Sequence, residues 1–217
     1  GAMAANLLSQ GWPVHVCDID DTKTSALSQL GAVVHANPRD IANHTPLLII
    51  CVVDAAQTKD VLFGANGAAM HLKAGQTVML CPTIAPADVE YCANKLSELG
   101  IETIDAPMSG GPARARDGSM SLMLACNDAV YAKHQDLIAV LSNQVFRISQ
   151  RVGDGAKTKL VNNLLASINL AGAAEVMGLA EKMGLDLSTT LNVIEHSSGQ
   201  SWIGSDRLRR AIVNDYE

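Results

Sequence analysis

The first two-thirds of the chain alternate short β-branched runs with segments of helical pattern, and this alternation constrains the fold more than any other feature. The runs predict strands over residues 13–17, 32–35, 47–53, 77–81 and 101–104. The segments between them predict helices over residues 22–30, 38–43, 55–63 and 86–99. Repeated strand–helix units indicate a mostly parallel, doubly wound α/β sheet.

The alternation ends soon after Ser119. Two more strands are predicted there, over residues 119–125 and 144–148, and the helix between them covers residues 128–141. After Gly155 the pattern is almost wholly helical, with one long run over residues 156–183 that ends at Gly184. We therefore predict two domains: a nucleotide-binding α/β domain over residues 1–153 and a helical domain over residues 154–217.

Composition and charge narrow the class of function. The 217 residues are 48% hydrophobic but only 3% aromatic, which suits aliphatic helix-on-sheet layers. The net charge of −6 gives no basic field for nucleic acid or an anionic membrane, so we expect neither as a partner. The five cysteines are odd in number and lack C-x-x-C spacing, which indicates reduced thiols in the cytoplasm and no zinc site.

A lysine and an asparagine lie one helical turn apart in the stretch 153–163. A glycine pair there runs into an apolar helix that presents Lys159 and Asn163 on one face. A lysine in a dry cleft can exchange a proton near neutral pH, and a neighbouring amide can fix the geometry of a substrate hydroxyl. The alternative is a solvated lysine at the start of an ordinary helix, because this spacing is common in helices.

An acidic residue follows the first predicted strand. In a nucleotide-binding sheet, such a residue lies about twenty positions after a glycine-rich turn and accepts the ribose hydroxyls of the adenosine half. Asp18 stands where that residue belongs, and Gly1 lies near the place of the last glycine of the turn. The alternative is that Asp18 caps the next turn together with Asp20 and Asp21.

Several motifs together resemble the β-hydroxyacid dehydrogenase family, which includes 3-hydroxyisobutyrate dehydrogenase, tartronate semialdehyde reductase and L-threonate dehydrogenase. The motifs are residues 3–8 with Gly11, the strand ending at Asp18, and the stretches 82–86, 105–112 and 153–163. They occur in the family's order over essentially the whole chain. The resemblance implies a Rossmann-type doubly wound sheet followed by an all-helical domain of the 6-phosphogluconate dehydrogenase C-terminal type. Against that pattern, the N-terminal strand with its glycine loop and the C-terminal helices are missing, so we expect both domains to be incomplete.

The resemblance also implies a substrate site. Ser109, Gly110 and Gly111 match the loop that holds the substrate carboxylate, and two glycines do let backbone N–H groups approach an anion closely. Lys159 matches the catalytic lysine, and Asn163 matches the amide that helps hold the substrate. The alternative for the loop is a plain glycine turn after a strand.

The cofactor implied by the resemblance is NAD or NADP. The residues expected to contact it, on loops that follow sheet strands, are Asp18, Ile19, Val52, Val53, Asp54 and Thr83. A carboxylate at Asp18 would repel the extra phosphate of NADP, which favours NAD, while nearby Lys23 leaves NADP possible. For Val52, Val53 and Asp54, a strand end and helix cap is an equally good interpretation.

The expected reaction is reversible oxidation of the β-hydroxyl of a small hydroxycarboxylic acid to a semialdehyde or ketone, with Lys159 as general acid and base. The complete protein is expected to be a cytoplasmic homo-oligomer, a dimer or a tetramer. One alternative remains open, a catalytically incomplete fragment or a non-catalytic binding module of the same family. Its basis is the missing first strand, which normally lies at the centre of the sheet and pairs with strands on both sides.

Overall fold

The computed structural model describes residues 1–215, so Tyr216 and Glu217, the end of the predicted helical domain, lie outside the described residues. The chain forms two compact units, residues 1–159 and residues 160–217. The division into a cofactor domain and a helical domain at residue 153 stays a prediction.

The first unit contains a six-stranded sheet. Its strands are β3 (Leu47–Ile50), β4 (Thr77–Leu80), β5 (Glu102–Asp105), β6 (Met108–Ser109), β7 (Ser121–Ala125) and β8 (Gln144–Ser149). The order is β3-β4-β5-β7-β6, with β8 paired to β7. Strands β3, β4 and β5 are parallel, so their carboxyl ends meet at one edge, whereas β7 runs antiparallel to β5 and β6. The α/β class with a mostly parallel sheet is confirmed.

Helices join and cover these strands in the first unit. They are α1 (Ala2–Ser9), α2 (Asp21–Ser28), α3 (Pro38–Ile41), α4 (Ala55–Phe63), α5 (Pro86–Ser97), α6 (Gly111–Asp117) and α7 (Asp128–Leu141). Alternate strand residues face two apolar clusters, one containing Leu48, Ile50 and Val78 and the other containing Leu47 and Met79. The sheet is therefore buried on both faces, as its continuous apolar runs predict.

The first two strands depart from the expected single sheet. β1 (His15–Val16) and β2 (Val33–Val34) form a separate two-stranded parallel sheet. Within residues 1–215, β1 pairs only with β2 and β3 pairs only with β4. Both strands are shorter than the predicted runs 13–17 and 32–35.

The segment after β5 also differs from the sequence analysis, which placed no regular element between residues 105 and 119. It contains β6 and α6. A two-residue strand is too short to produce a recognisable alternation, and it exists because Met108 and Ser109 pair with Leu122 and Ser121 of β7.

The second unit is helical. α8 (Asp154–Lys182) begins in the first unit and continues into the second, followed by α9 (Leu187–Glu195) and α10 (Trp202–Ile212). Met177, Leu191 and Leu208 form the small core of this unit. By length and composition α8 could cross a membrane, with 11% of its most apolar window buried, but one such helix is weak evidence for a membrane span.

Candidate active site

Asp105 holds the start of α8. One carboxylate oxygen, Oδ2, accepts hydrogen bonds from the backbone N–H groups of Gly153, at 2.9 Å, and Ala156, at 3.0 Å. The first N–H groups of a helix have no acceptor within the helix, so the Asp105 carboxylate supplies the acceptor that they lack. Because Asp105 ends β5, the contact fixes the entry of α8 against the carboxyl end of the sheet.

Burial determines the protonation of Asp105, which is only 1% exposed. Desolvation raises the pKa of its carboxyl group to about 6, against the opposite effect of the N–H groups of Ala156, Gly153 and Gly155. Asp105 is the first residue of the motif over residues 105–112, and the sequence alone predicts no role for it. The available signal was a second acidic residue in a short strand, at its carboxyl end and shortly before residues 107–111.

Gly155 lets α8 approach the sheet closely. A Cβ at this position would lie 2.6 Å from the carbonyl oxygen of Met123 in β7 and 3.0 Å from Cγ of Asp105. Backbone atoms cannot move aside as a side chain can, so glycine is required here. The first turn of α8 is therefore held from two directions, by β5 and by β7.

Gly155→Ala should destabilise the protein by about 1–3 kcal/mol, because the added methyl group overpacks a rigid contact. Gly172→Ala is the matched control in the same helix, since a Cβ there meets nothing within 4 Å. That change should be neutral or stabilising by up to about 1 kcal/mol. Chemical denaturation of both variants measures the difference, and equal stabilities would contradict the close approach.

Lys159 and Lys157, two residues apart, occupy contrasting environments because residues at that spacing point to different sides of a helix. Lys157 is exposed, and its Nζ lies 2.9 Å from Glu90 Oε1 and 3.2 Å from Asp154 Oδ1, which raises its pKa. Lys159 is 8% exposed, and burial lowers its pKa. Among residues 1–215, no carboxylate pairs with Lys159.

The glycine loop and the start of α8 both lie next to strand β7. Ser109 is in β6 and pairs with Ser121 of β7, two residues before the Met123 carbonyl that contacts Gly155. Gly110 and Gly111 have φ angles of +133° and +70°, a region that side chains other than glycine rarely adopt. β7 therefore connects the predicted carboxylate loop to the helix that carries Lys159.

Asn163 belongs to the second unit, one turn after Lys159 along α8. Its side chain is partly buried, and its Oδ1 accepts a long hydrogen bond of 3.4 Å from Asn162.

Four of the predicted cofactor residues follow neighbouring parallel strands at one edge of the sheet. Val52, Val53 and Asp54 come after β3, and Thr83 comes after β4. Val53 is 80% exposed and Thr83 is also exposed, so both are accessible to a ligand. Asp54 caps α4 by accepting from Gln57 N–H at 2.8 Å, so the helix-cap interpretation describes a contact that the structure contains.

Asp18 and Ile19 follow β1, in the separate two-stranded sheet, and both are exposed. Asp18 Oδ1 accepts from the N–H of Asp20 at 3.0 Å, but it is Asp20 that caps α2. Oδ2 of Asp18 accepts no hydrogen bond from the part of the chain that the structure describes. A free, exposed carboxylate oxygen fits the ribose hydroxyls of a dinucleotide.

The parallel strand ends and the exposed Asp18 carboxylate therefore suit a dinucleotide.

Gly1 precedes α1 as its cap residue, and no side chain caps that helix.

Three histidines cluster beside the two-stranded sheet. His15 Nδ1 and His35 Nε2 share a hydrogen bond of 2.8 Å, and His44 stacks on His15 at 5.1 Å between ring centroids. Residues 1–215 contain no group of three histidine, cysteine or acidic side chains arranged to hold a metal ion.

Comparison with known proteins identifies the family. Residues 1–149 match the NAD-binding domain of 6-phosphogluconate dehydrogenase, and residues 153–217 match the NAD-binding family of NADP-dependent 3-hydroxyisobutyrate dehydrogenase. The L-threonate dehydrogenase of Cupriavidus necator is 36% identical over 214 residues, which are 99% of this chain and 72% of that protein. The chain belongs to the β-hydroxyacid dehydrogenase family.

Other relatives agree with this assignment. The L-threonate dehydrogenase of Haemophilus influenzae is also 36% identical, over 98% of this chain and 71% of its own length. The crystal structure of 3-hydroxyisobutyrate dehydrogenase from Salmonella typhimurium superposes with a TM-score of 0.91 at 33% identity, covering 99% of this chain and 75% of that one. A structure of Psf3 in complex with NADP⁺ and 2-OPP superposes with the same score at 28% identity, covering 98% and 75%.

This β-hydroxyacid dehydrogenase is thus an NAD(P)-dependent oxidoreductase of small hydroxycarboxylic acids. The predicted family and enzyme class are confirmed, and NAD or NADP is the cofactor. The alternative of a non-catalytic module is not favoured, because named dehydrogenases match nearly the whole chain.

Proposed function

We propose that the enzyme interconverts the β-hydroxyl of a small hydroxycarboxylic acid and the corresponding carbonyl, with Lys159 as the general acid and base. The observation that carries this proposal is the environment of Lys159. Its side chain is buried, its pKa is lowered, and no carboxylate of the described residues holds it in the charged form. Lys157, which is exposed and paired with two carboxylates, lacks these properties.

Lys159 would accept the hydroxyl proton during oxidation and return it during reduction. Loss of the proton from the ammonium group is easier in a site where burial disfavours the charge. NAD(P), when bound, supplies the hydride acceptor.

Ser109, Gly110 and Gly111 would hold the substrate carboxylate. The positive φ angles of both glycines turn the backbone where N–H groups can face an anion, with the serine hydroxyl beside them. A fixed carboxylate determines which carbon faces the cofactor, so orientation contributes much of the rate. Asn163, one turn beyond Lys159, is proposed as the amide that helps hold the substrate.

L-threonate is the first substrate to test, because several relatives similar over nearly the whole chain are L-threonate dehydrogenases. Purified protein is titrated with NADH. Turnover is then measured with L-threonate and 3-hydroxyisobutyrate in the presence of NAD⁺ or NADP⁺, and with tartronate semialdehyde in the presence of NADH or NADPH. We expect NADH binding and turnover of at least one of the three. Absence of turnover with all three would reject the proposed substrate class.

We further propose that residues 1–153 bind the cofactor and residues 154–217 serve substrate binding and assembly. The portion of α8 in the second unit exposes apolar side chains that include Val161, Leu164 and Ile168, each more than half exposed. Burial of such a face favours a homo-oligomer, a dimer or a tetramer. The five unpaired cysteines support a cytoplasmic location.

Asp18→Ser should weaken NADH binding by about tenfold and shift the preference toward NADPH, because it removes a charge-assisted hydrogen bond to ribose and a repulsion of phosphate. Lys23 pairs with Asp20 at 3.4 Å, so an acidic partner already engages this cation, which supports the preference for NAD. Asp21→Ser removes the same charge nearby and should leave the NADH-to-NADPH affinity ratio unchanged. Calorimetric titration compares the two variants, and equal ratios would contradict the role of Asp18.

A further inference from the structure

Cys51 and Cys81 lie opposite each other at the ends of two neighbouring parallel strands. The register pairs Ile50 of β3 with Leu80 of β4, so each cysteine is the next residue after a paired position. The ladder continues past that pair, because the N–H of Cys81 donates to the carbonyl of Ile50 at 3.0 Å.

Both cysteines belong to the same face of the sheet. Side chains alternate between the two faces along a strand, so Cys51 belongs to the same face as Leu47, and Cys81 belongs to the same face as Met79. Leu47, Met79 and Cys81 share one apolar cluster, whereas Ile50 and Leu80 face the other. Neighbouring strands are about 4.8 Å apart. That spacing lies within the Cα separation of about 4.4–6.8 Å that a disulfide needs.

The two thiols differ in exposure and acidity. Cys51 is exposed, and a hydrogen bond from the Cys81 thiol lowers the pKa of Cys51. Cys81 is 3% exposed, and its pKa is raised by that interaction and by burial. Burial raises the pKa of each of the other three cysteines, Cys17, Cys92 and Cys126. An accessible thiol that ionises more readily than the other four, next to a buried second thiol, is the arrangement of an attacking and a resolving cysteine.

We propose that Cys51 and Cys81 form a reversible intramolecular disulfide by exchange with a small-molecule disulfide such as oxidised glutathione. The Cys51 thiolate attacks one sulfur, which forms a mixed disulfide and releases the first small thiol. Cys81 then loses its proton and attacks the Cys51 sulfur, which closes the bridge and releases the second thiol. The protein gives up two electrons and two protons, and the small disulfide becomes two thiols.

The position of the bridge gives it a consequence for the enzyme. Cys51 directly precedes Val52, Val53 and Asp54, and Cys81 lies two residues before Thr83. A covalent link between the strand ends would change the conformations available to both loops. Oxidation should therefore weaken NADH binding, a step that rests on the cofactor contacts of the proposed function.

The experiment incubates the purified full chain with oxidised glutathione, unfolds it, and alkylates the remaining thiols. Intact mass should show three alkylated cysteines of the five, no retained glutathione, and full recovery of five after treatment with dithiothreitol. Proteolysis without reduction should yield one bridged pair of peptides containing Cys51 and Cys81. A wild-type protein that stops at the mixed disulfide, links two chains, or bridges another pair would overturn the proposal.

Variants distinguish the attacking role of Cys51 from the resolving role of Cys81. Cys81→Ser should accumulate the mixed disulfide on Cys51, Cys51→Ser should lose the bridge, and Cys126→Ser should still form it. Peptide mapping of the wild-type protein decides the matter even if a variant fails to fold. NADH titration of reduced and oxidised protein tests the consequence separately: equal affinities would reject the effect on the cofactor while the bridge stands. Failure of the reduced protein to bind NADH would instead reject the cofactor contacts.

Discussion

Lys159→Met should lower turnover by about 10²–10⁴-fold while NADH still binds, because it removes the proposed proton acceptor and leaves the cofactor loops intact. Methionine matches the length of the lysine stem and carries no charge to desolvate. Burial lowers the pKa of Lys159, so folding disfavours its charged form, and the variant should be at least as stable as the wild type near neutral pH.

Lys157→Met is the matched control. Lys157 lies two residues earlier in the same helix, and its charge is exposed and paired with Glu90 and Asp154. Its replacement removes the same charge from the chain without touching the proposed site, so turnover should stay near the wild-type value. Steady-state rates of both variants decide the assignment; a Lys159→Met enzyme with near-normal turnover would exclude the acid–base role.

The pH profile adds an independent readout. Oxidation needs the neutral amine of Lys159, so the rate of oxidation should rise with pH through the lowered pKa of this lysine. Reduction needs the ammonium form and should fall over the same range. Any residual activity of Lys159→Met should show neither the rise of the oxidation rate with pH nor the fall of the reduction rate. Lys157→Met should show both.

Asp105→Ala should be less stable than Asp105→Asn by about 2–6 kcal/mol, because two buried N–H groups would lose their acceptor, at about 1–3 kcal/mol each. Both hydrogen bonds go to a single oxygen, Oδ2, so the amide oxygen of asparagine can accept both. Both variants lack the carboxylate charge, so the difference between them reports the loss of the acceptor together with the smaller packing volume of alanine at this buried site. Chemical denaturation supplies the two free energies of unfolding.

Asp105→Asn should also remove a pH dependence. The folded pKa of about 6 lies above the ordinary value of 3.8, so the folded state holds this proton more tightly than the unfolded state does. The contribution to stability is fully present below pH 3.8 and is lost as the pH rises through about 6. The loss amounts to up to about 3 kcal/mol.

Subtracting the stability of Asp105→Asn from that of the wild type at each pH cancels the other titrating groups. Asp154, whose charge contributes to the raised pKa of Asp105, has its own pKa lowered to about 2, mainly by Arg151, so it stays ionised between pH 4 and 6. A flat difference curve between pH 4 and 6 would show that Asp105 is not desolvated. Turnover of Asp105→Ala should fall as well, since Asp105 positions the helix that carries Lys159, and Asp105→Asn should restore it.

Local pattern was sufficient for much of the fold. Periodicity predicted the helices over residues 55–63 and 128–141, which are α4 and α7, because apolar spacing is fixed by the geometry of the element itself. The two motifs that contain Ser109 and Lys159, over residues 105–112 and 153–163, were likewise visible in the sequence. Pattern did not predict β6, whose two residues form a strand only because β7 lies beside them.

The sequence by itself determined that this chain builds a parallel α/β sheet and a long helix carrying Lys159, since both depend on spacing within a segment. Only the tertiary structure decided which lysine is buried, that Asp105 caps that helix from 48 residues away, and that Cys51 meets Cys81. The physical reason is that burial, hydrogen-bond satisfaction and pKa depend on which distant segments meet. Neighbours in the sequence do not specify those contacts.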